Sequence, residues 1–194
     1  MSPPARGRPR RRPSAALSVR GRARRIRLLL LDVDGVLTDG RIHLQSFPGG
    51  GGAEEMKVFF SQDGVGLKLA RAAGLRTGLI TGRESAATAR RARETEMEFV
   101  WQKRAEKLPA YEAICLDAGV GDAEVAYMGD DLPDLPVLER VGLAIAPANA
   151  VPEVKRAAHY VTLRRGGEGA VREAIEMILK ARGAWRGVIG RARA

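Results

Sequence analysis

The sequence predicts an α/β fold, a doubly wound parallel sheet of the Rossmann-like type that carries a β-hairpin insertion. Short aliphatic runs alternate with helix-like segments from residue 26 to residue 181, a pattern typical of a parallel sheet covered by helices on both faces. The 194 residues, 45% of them hydrophobic, suffice for one domain with an ordinary core. Acidic residues directly follow two of the aliphatic runs, at the sheet edge where ligands bind in such folds.

The elements follow from local patterns along the chain. The first strand is expected at 26–33, where an apolar run ends in an Asp-Gly turn. Two strand-like segments, 41–45 and 54–60, flank the glycine-rich segment 48–52 and form the predicted hairpin. The other strands are expected at 75–80, 99–101, 125–128, 141–145 and 160–163. The helices are expected at 64–73, 84–94, 106–118, 133–140, 152–157 and 170–179, the last clearly amphipathic.

The charge is concentrated at the two ends of the chain. Residues 1–25 contain nine Arg and no acidic residue, and residues 182–194 contain four Arg and no acidic residue. The formal net charge is +10, so residues 26–181 carry a net charge of −3 and offer no surface for nucleic acid. We therefore expect a disordered basic arm at 1–25, a catalytic domain at 26–181 and a basic tail at 182–194.

Cysteine content and hydropathy predict a cytoplasmic protein. The one cysteine, Cys115, lies in an apolar helical pattern and is expected to be a small buried side chain. A single cysteine allows no disulfide within the chain, which fits a reducing compartment. No apolar run approaches the roughly 18 residues that a membrane span needs.

Reactive side chains follow three of the predicted strands. Asp32 and Asp34 lie at the end of the first, Thr81 follows the strand at 75–80, and Asp130 follows the strand at 125–128. Lys107 begins the helix between the last two. Because parallel strands end at one edge of the sheet, these side chains are expected to converge.

Carboxylates without a His or Cys cluster indicate a hard cation with oxygen ligands, and Mg²⁺ is the usual case. We expect Asp32, Asp34 and Asp130 to hold it, Asp34 through its backbone carbonyl. An ionised Asp32 beside Mg²⁺ can attack phosphorus and form an aspartyl-phosphate. Thr81 and Lys107 would then stabilise the phosphoryl oxygens. Asp34 is placed to protonate the leaving alkoxide, a role that predicts a pH optimum at neutral or lower pH.

These residues, taken in order, resemble the four motifs of the haloacid dehalogenase superfamily. The motifs lie at 32–35, 80–83, 107 and 129–134. The second acidic residue, Asp34, is typical of its phosphatases and phosphomutases rather than of its dehalogenases. Between Asp34 and Thr81 there is room for a hairpin and one helix, and between Thr81 and Lys107 for little more than one helix. The resemblance therefore implies the capless branch.

Within that superfamily, residues 26–181 resemble the 3-deoxy-D-manno-octulosonate 8-phosphate phosphatases. The resemblance rests on the segments 32–40, 57–66, 129–137, 146–150 and 166–173. It implies Mg²⁺ dependence, a homotetramer, a role in lipopolysaccharide precursor synthesis and substrate contacts by Asp63, Gly64, Gly82 and Arg83. One departure is Lys103, which stands where the family usually has a glycine after Gln102.

Several alternatives remain open in the sequence. The substrate could be another sugar-acid phosphate, such as a nine-carbon ulosonate phosphate. A second class is a non-catalytic module that the basic ends tether to an anionic polymer. Asp131 and Asp134 could belong to the site or cap the short helix that follows them. Arg83 could bind the substrate carboxylate or phosphate in bidentate fashion, or be a solvated residue at the start of a helix.

Overall fold

The computed structural model describes residues 17–46 and 53–191. Its centre is the predicted parallel sheet, whose six strands lie in the order β5-β4-β1-β6-β7-β8. The strands are β1 Leu28–Leu31, β4 Arg76–Ile80, β5 Phe99–Trp101, β6 Val125–Met128, β7 Leu143–Ala146 and β8 Tyr160–Val161. Because β1, β4 and β6 are neighbours, the loops that follow them meet at one edge of the sheet.

Helices cover both faces of this sheet. They are α1 Val19–Ala23, α2 Ser61–Ala72, α3 Ala86–Glu94, α4 Lys107–Ala118, α5 Leu135–Leu138, α6 Pro152–Ala157, α7 Ala170–Ala181 and α8 Trp185–Arg191. One core contains residues of α1, α2, α7 and α8 together with Leu29 and Leu31. The other contains residues of α4, α5 and α6 together with Leu28 and Leu30. Successive side chains of β1 therefore pack into opposite cores, which explains why every residue of this strand is a leucine.

The predicted hairpin is present beside this sheet. Its strands, β2 His43–Ser46 and β3 Ala53–Met56, are antiparallel, with His43 opposite Met56. The predicted glycine-rich tip at 48–52 lies outside the described residues. Between β4 and α4 the described chain holds only α3, β5 and their loops, so no cap domain is inserted there.

The described parts of both basic ends form short helices, which at the N-terminal end differs from the expected disordered arm. Helix α1 lies within the segment expected to be disordered, and its Ala23 is fully buried. Arg22 Nη1 donates to the carbonyl of Gly142 at 2.8 Å, so even an arginine of this segment has a fixed partner. Helix α8 lies in the expected tail and buries Val188. These short helices were not predicted because their segments are rich in arginine and only a few apolar contacts hold them.

Two element boundaries near the site differ from the prediction. Helix α2 begins at Ser61, three residues before the expected start, so Asp63 lies inside its first turn. The helix expected at 133–140 is a 3₁₀ turn, Leu132–Asp134, followed by the short helix α5. Two prolines, Pro133 and Pro136, fall in these first turns, where proline is tolerated. No helix among the described residues is long and apolar enough to span a membrane.

Candidate active site

The turn after β1 presents two carboxylates at the edge of the sheet. Asp32 continues the strand, because its N–H donates to the carbonyl of Met128 at 2.9 Å. The N–H groups of Leu37 and Thr38 then both donate to the carbonyl of Val33 and close the turn. Gly35 lies in the left-handed region at φ 90°. A Cβ on Gly35 would lie 2.0 Å from a carboxylate oxygen of Asp130, so only glycine allows the two loops to meet.

The structure brings most of the predicted site residues into one cleft of about 430 Å³. Its lining includes Asp32, Asp34, Thr81, Gly82, Arg83, Lys107 and Asp130, and also Asp131 and Asp134. These residues come from the loops after β1, β4 and β6 and from the start of α4. The predicted convergence at the carboxyl edge of the sheet is therefore found.

Lys107 is buried at the floor of this cleft between two carboxylates. Its Nζ lies 2.9 Å from Asp32 Oδ1 and 2.7 Å from Asp134 Oδ1. Burial opposes the charge of Lys107, but the two carboxylates outweigh it and raise the pKa of the lysine. Lys107 is thus a permanent cation that touches Asp32.

Asp134 is fully buried, and its carboxylate is the hub of the site, the group that accepts hydrogen bonds from several of its parts. Its Oδ1 accepts hydrogen bonds from Lys107 Nζ and, at 2.6 Å, from the hydroxyl of Tyr127. Its Oδ2 accepts from the N–H groups of Asp130 and Asp131 at 2.9 Å and 3.2 Å. With both oxygens occupied, Asp134 positions Lys107 and the Asp130 loop. Asp131, by contrast, is exposed and its Oδ1 caps the 3₁₀ turn by accepting from the N–H of Leu132.

The carboxylates fit a hard cation. Oxygens of Asp32, Asp130 and Asp134 lie within 4.8 Å of one another. Burial, reinforced by the charge of Asp134, raises the pKa of Asp32 to about 6 and that of Asp130 to about 7, so a bound cation would favour their ionised forms. Asp130 Oδ1 is also buried without a hydrogen-bond partner. Because Asp134 is already saturated, Asp32 and Asp130 are the side chains best able to bind Mg²⁺.

Asp34 points away from this cluster, toward two cations. Lys57 Nζ donates to Asp34 Oδ1, and Arg83 Nε lies 3.9 Å from Asp34 Oδ2. The charged contacts of the Asp34 side chain are therefore with cations. Any contact of Asp34 with the metal would use its backbone carbonyl, since its side chain lies outside the acidic group.

Lys57 and Glu55 are site residues that sequence reasoning missed. Glu55 accepts a 2.7 Å hydrogen bond from Arg83 and lies 3.6 Å from Lys57 Nζ. Burial opposes the charge of Glu55, but the two cations outweigh it and lower the pKa of its carboxyl. The available signal was the Glu-Met-Lys spacing, which puts two charges on one face of a strand.

The loop after β4 is tied to the loop before α4. The N–H of Arg104 donates to the carbonyl of Thr81 at 2.9 Å, and the N–H of Ser85 donates to Gln102 Oε1 at 2.7 Å. Thr81 is buried, whereas the side chain of Arg83 is 47% exposed and keeps free donors at the cleft. Lys103, between Gln102 and Arg104 in the chain, has a φ of 58°, a conformation that favours glycine.

Asp63 and Gly64 lie outside the cleft lining. Asp63 is 1% exposed, and its Oδ1 accepts a 2.7 Å hydrogen bond from the N–H of Arg172 in the first turn of α7. A Cβ on Gly64 would lie 2.2 Å from the guanidinium of Arg91. The structure gives both residues a packing role where the sequence predicts a substrate contact.

Asn149 and Gly166, from two segments without an assigned role, support the turn after β1. Asn149 Nδ2 donates to the carbonyl of Gly35 at 2.9 Å, and its Oδ1 accepts from the N–H of Gly166 at 2.6 Å. A Cβ on Gly166 would lie 1.8 Å from the carbonyl oxygen of Gly35. The two segments therefore hold the backbone of the Asp32–Asp34 turn in place through Gly35.

Similarity to known proteins agrees with this site. A model of the haloacid dehalogenase-like hydrolase family matches residues 83–175. The chain is 40% identical over 165 residues to the 3-deoxy-D-manno-octulosonate 8-phosphate phosphatase KdsC of Escherichia coli (strain B / BL21-DE3), covering 85% of each chain. The chain belongs to the haloacid dehalogenase superfamily. It is a phosphatase, a phosphoric monoester hydrolase, as the four motifs predict.

Solved structures resemble this phosphatase closely. The 3-deoxy-D-manno-octulosonate 8-phosphate phosphatase of Yersinia pestis matches with a TM-score of 0.82 at 40% identity, covering 87% of this chain and 89% of that one. The Moraxella catarrhalis enzyme, solved with magnesium, phosphate and KDO, matches with a TM-score of 0.85 at 36% identity, covering 90% and 97%. The phosphatase therefore shares the whole α/β domain of these enzymes.

Proposed function

We propose that this phosphatase hydrolyses 3-deoxy-D-manno-octulosonate 8-phosphate to the free sugar acid and inorganic phosphate. The observation that carries the proposal is Asp32, a carboxylate at the mouth of β1 that touches Lys107 and faces Asp130. The similarity to enzymes named for that substrate supports the choice of substrate.

In the first half-reaction, a carboxylate oxygen of Asp32 attacks the phosphorus atom and forms an aspartyl-phosphate. The bond from phosphorus to the sugar oxygen breaks, its electron pair stays on that oxygen, and Asp34 gives it a proton. Lys107 and Thr81 stabilise the charge on the phosphoryl oxygens. Both lie in the cleft with Asp32.

In the second half-reaction, Asp34 takes a proton from water while the water oxygen attacks phosphorus. The bond from Asp32 to phosphorus breaks, and inorganic phosphate leaves. Asp32 and Asp130, with the backbone carbonyl of Asp34, would hold the cation. When bound, Mg²⁺ supplies charge stabilisation to the phosphoryl group and favours the ionised form of its carboxylate ligands.

Arg83 and Gly82 form the rim of the cleft, where the sugar would lie. The half-exposed guanidinium of Arg83 has donors that can bind a carboxylate in bidentate fashion. This arrangement supports a substrate that is itself an acid. A nine-carbon ulosonate phosphate has the same groups and is the rival substrate.

The assembly and its surroundings complete the proposal. The hairpin exposes Leu44 and Met56, whose side chains are 65% and 52% accessible. Subunit contacts in a homotetramer would cover them and shield an otherwise open cleft. We place the catalytic domain at 26–181 together with the packed helices α1 and α8, and the enzyme in the cytoplasm, in lipopolysaccharide precursor synthesis.

The test is phosphate release from a panel of phosphomonoesters, measured with Mg²⁺ and with EDTA. We expect metal-dependent release, with the highest kcat/KM on 3-deoxy-D-manno-octulosonate 8-phosphate. Faster metal-dependent release from a nine-carbon ulosonate phosphate would overturn the substrate and keep the mechanism. Release that persists unchanged in EDTA would overturn the metal-dependent mechanism.

A further inference from the structure

The two oxygens of Asp34 have different surroundings. Oδ1 accepts a hydrogen bond from Lys57 Nζ. Oδ2 is buried without a hydrogen-bond partner, and Arg83 Nε stays 3.9 Å from it. A buried carboxylate oxygen without a partner is costly, and a catalytic role is one reason for a protein to keep such an atom. Lys57 therefore holds Oδ1 of Asp34, whereas Oδ2 remains without a partner and can take part in the proton transfer.

The group that holds Asp34 comes from the hairpin. Lys57 follows β3 directly, and its side chain is only 3% exposed. Glu55, two residues earlier on the same face, lies 3.6 Å from the ammonium of Lys57 and fixes it from the other side. A lysine ammonium that is buried between two carboxylates has little freedom to move.

We propose that Lys57 is a positioning residue for the proton transfer by Asp34, an inference that rests on the proposed acid role of Asp34. The charged partners of Lys57 among the described residues are the side chains of Asp34 and Glu55, and no ion pair joins it to Asp32 or Asp130. It fixes the carboxyl of Asp34 so that Oδ2 faces the bridging oxygen of the substrate. The hairpin thus contributes to chemistry within its own subunit, besides any role in assembly.

The inference predicts a dependence on the leaving group. p-Nitrophenolate leaves phosphorus readily without a proton, whereas phenolate, with a pKa near that of tyrosine at about 10, benefits from one. A loss of positioning at Asp34 therefore harms phenyl phosphate more than p-nitrophenyl phosphate. A general disturbance of the fold or of the metal site would harm both equally.

The experiment compares kcat/KM, which reports steps up to loss of the leaving group, on these two esters with saturating Mg²⁺. We expect Lys57→Met to lose about tenfold more activity on phenyl phosphate than on p-nitrophenyl phosphate, a fraction of what a general acid supplies. The control Lys103→Met removes a cation whose partner is Glu84, and both esters should respond to it alike.

The variant Asp34→Asn tests the acid role of Asp34 separately from the positioning role of Lys57. If Asp34→Asn is selective against phenyl phosphate and Lys57→Met is not, the positioning role of Lys57 is overturned while the mechanism stands. If Asp34→Asn itself shows no selectivity, the acid role fails, and this inference fails with it. Retained turnover of p-nitrophenyl phosphate shows that a variant is folded, so an unfolded protein cannot imitate the expected result.

Discussion

Replacing Asp134 by Asn should destabilise the protein strongly without changing the size of the side chain. The carboxylate accepts four hydrogen bonds, two on each oxygen. An amide can accept on one side only. In either orientation its NH₂ group meets donors, either those of Lys107 and Tyr127 or the N–H groups of Asp130 and Asp131.

The magnitude follows from opposing contributions. Breaking a buried pair such as Lys107–Asp134 typically costs about 3–5 kcal/mol. Asp134 also raises the pKa values of Asp32 and Asp130, so its neutralisation relieves a repulsion worth on the order of 1 kcal/mol. We expect a net loss of about 3 kcal/mol in the free energy of unfolding.

Urea denaturation in EDTA measures this loss without a contribution from metal binding. Asp131→Asn is the matched control: Asp131 is an exposed cap, and Asn caps equally well, so the change should stay below about 0.5 kcal/mol. Tyr127→Phe removes one donor and should cost about 1.5 kcal/mol. A loss below about 1 kcal/mol for Asp134→Asn would refute the assignment of Asp134 as the hub of the site.

Three further predictions concern other parts of the molecule. Asp32→Asn should retain the fold, by circular dichroism, but lose nearly all turnover; activity within tenfold of the parent would exclude Asp32 as the nucleophile. Burial raises the pKa of Asp63 from 3.8 to about 6, so the folded protein holds this proton more tightly and stability should fall as pH rises from about 4 to about 6. Asp63→Asn, measured by urea denaturation, should therefore gain on the parent by about 3 kcal/mol at most between pH 4 and pH 7, and an equal pH dependence of both proteins would contradict this. Lys103→Gly should raise the free energy of unfolding by about 0.5–1 kcal/mol by relieving the positive φ, whereas Lys103→Ala, the control, should give no gain.

Much of the site could be predicted because it depends on where strands end. Asp32, Thr81 and Asp130 follow neighbouring parallel strands, and that arrangement alone brings them together. Helix α1 could not be predicted in the same way. It lies in an arginine-rich segment, and tertiary contacts such as the packing of Ala23 and the bond from Arg22 to Gly142 make it part of the domain.

Residue patterns along the chain are enough to predict the parallel sheet, the edge at which the chemistry lies and the residue types gathered there. These features depend on periodicity and chain order, which are local. The pairing of the charged side chains, by contrast, depends on the folded structure. Lys57 meets Asp34 across 23 positions of the chain, and Lys107 meets Asp134 across 27. Such pairs depend on side-chain packing between distant segments, and desolvation in the packed site then shifts the pKa values of buried groups.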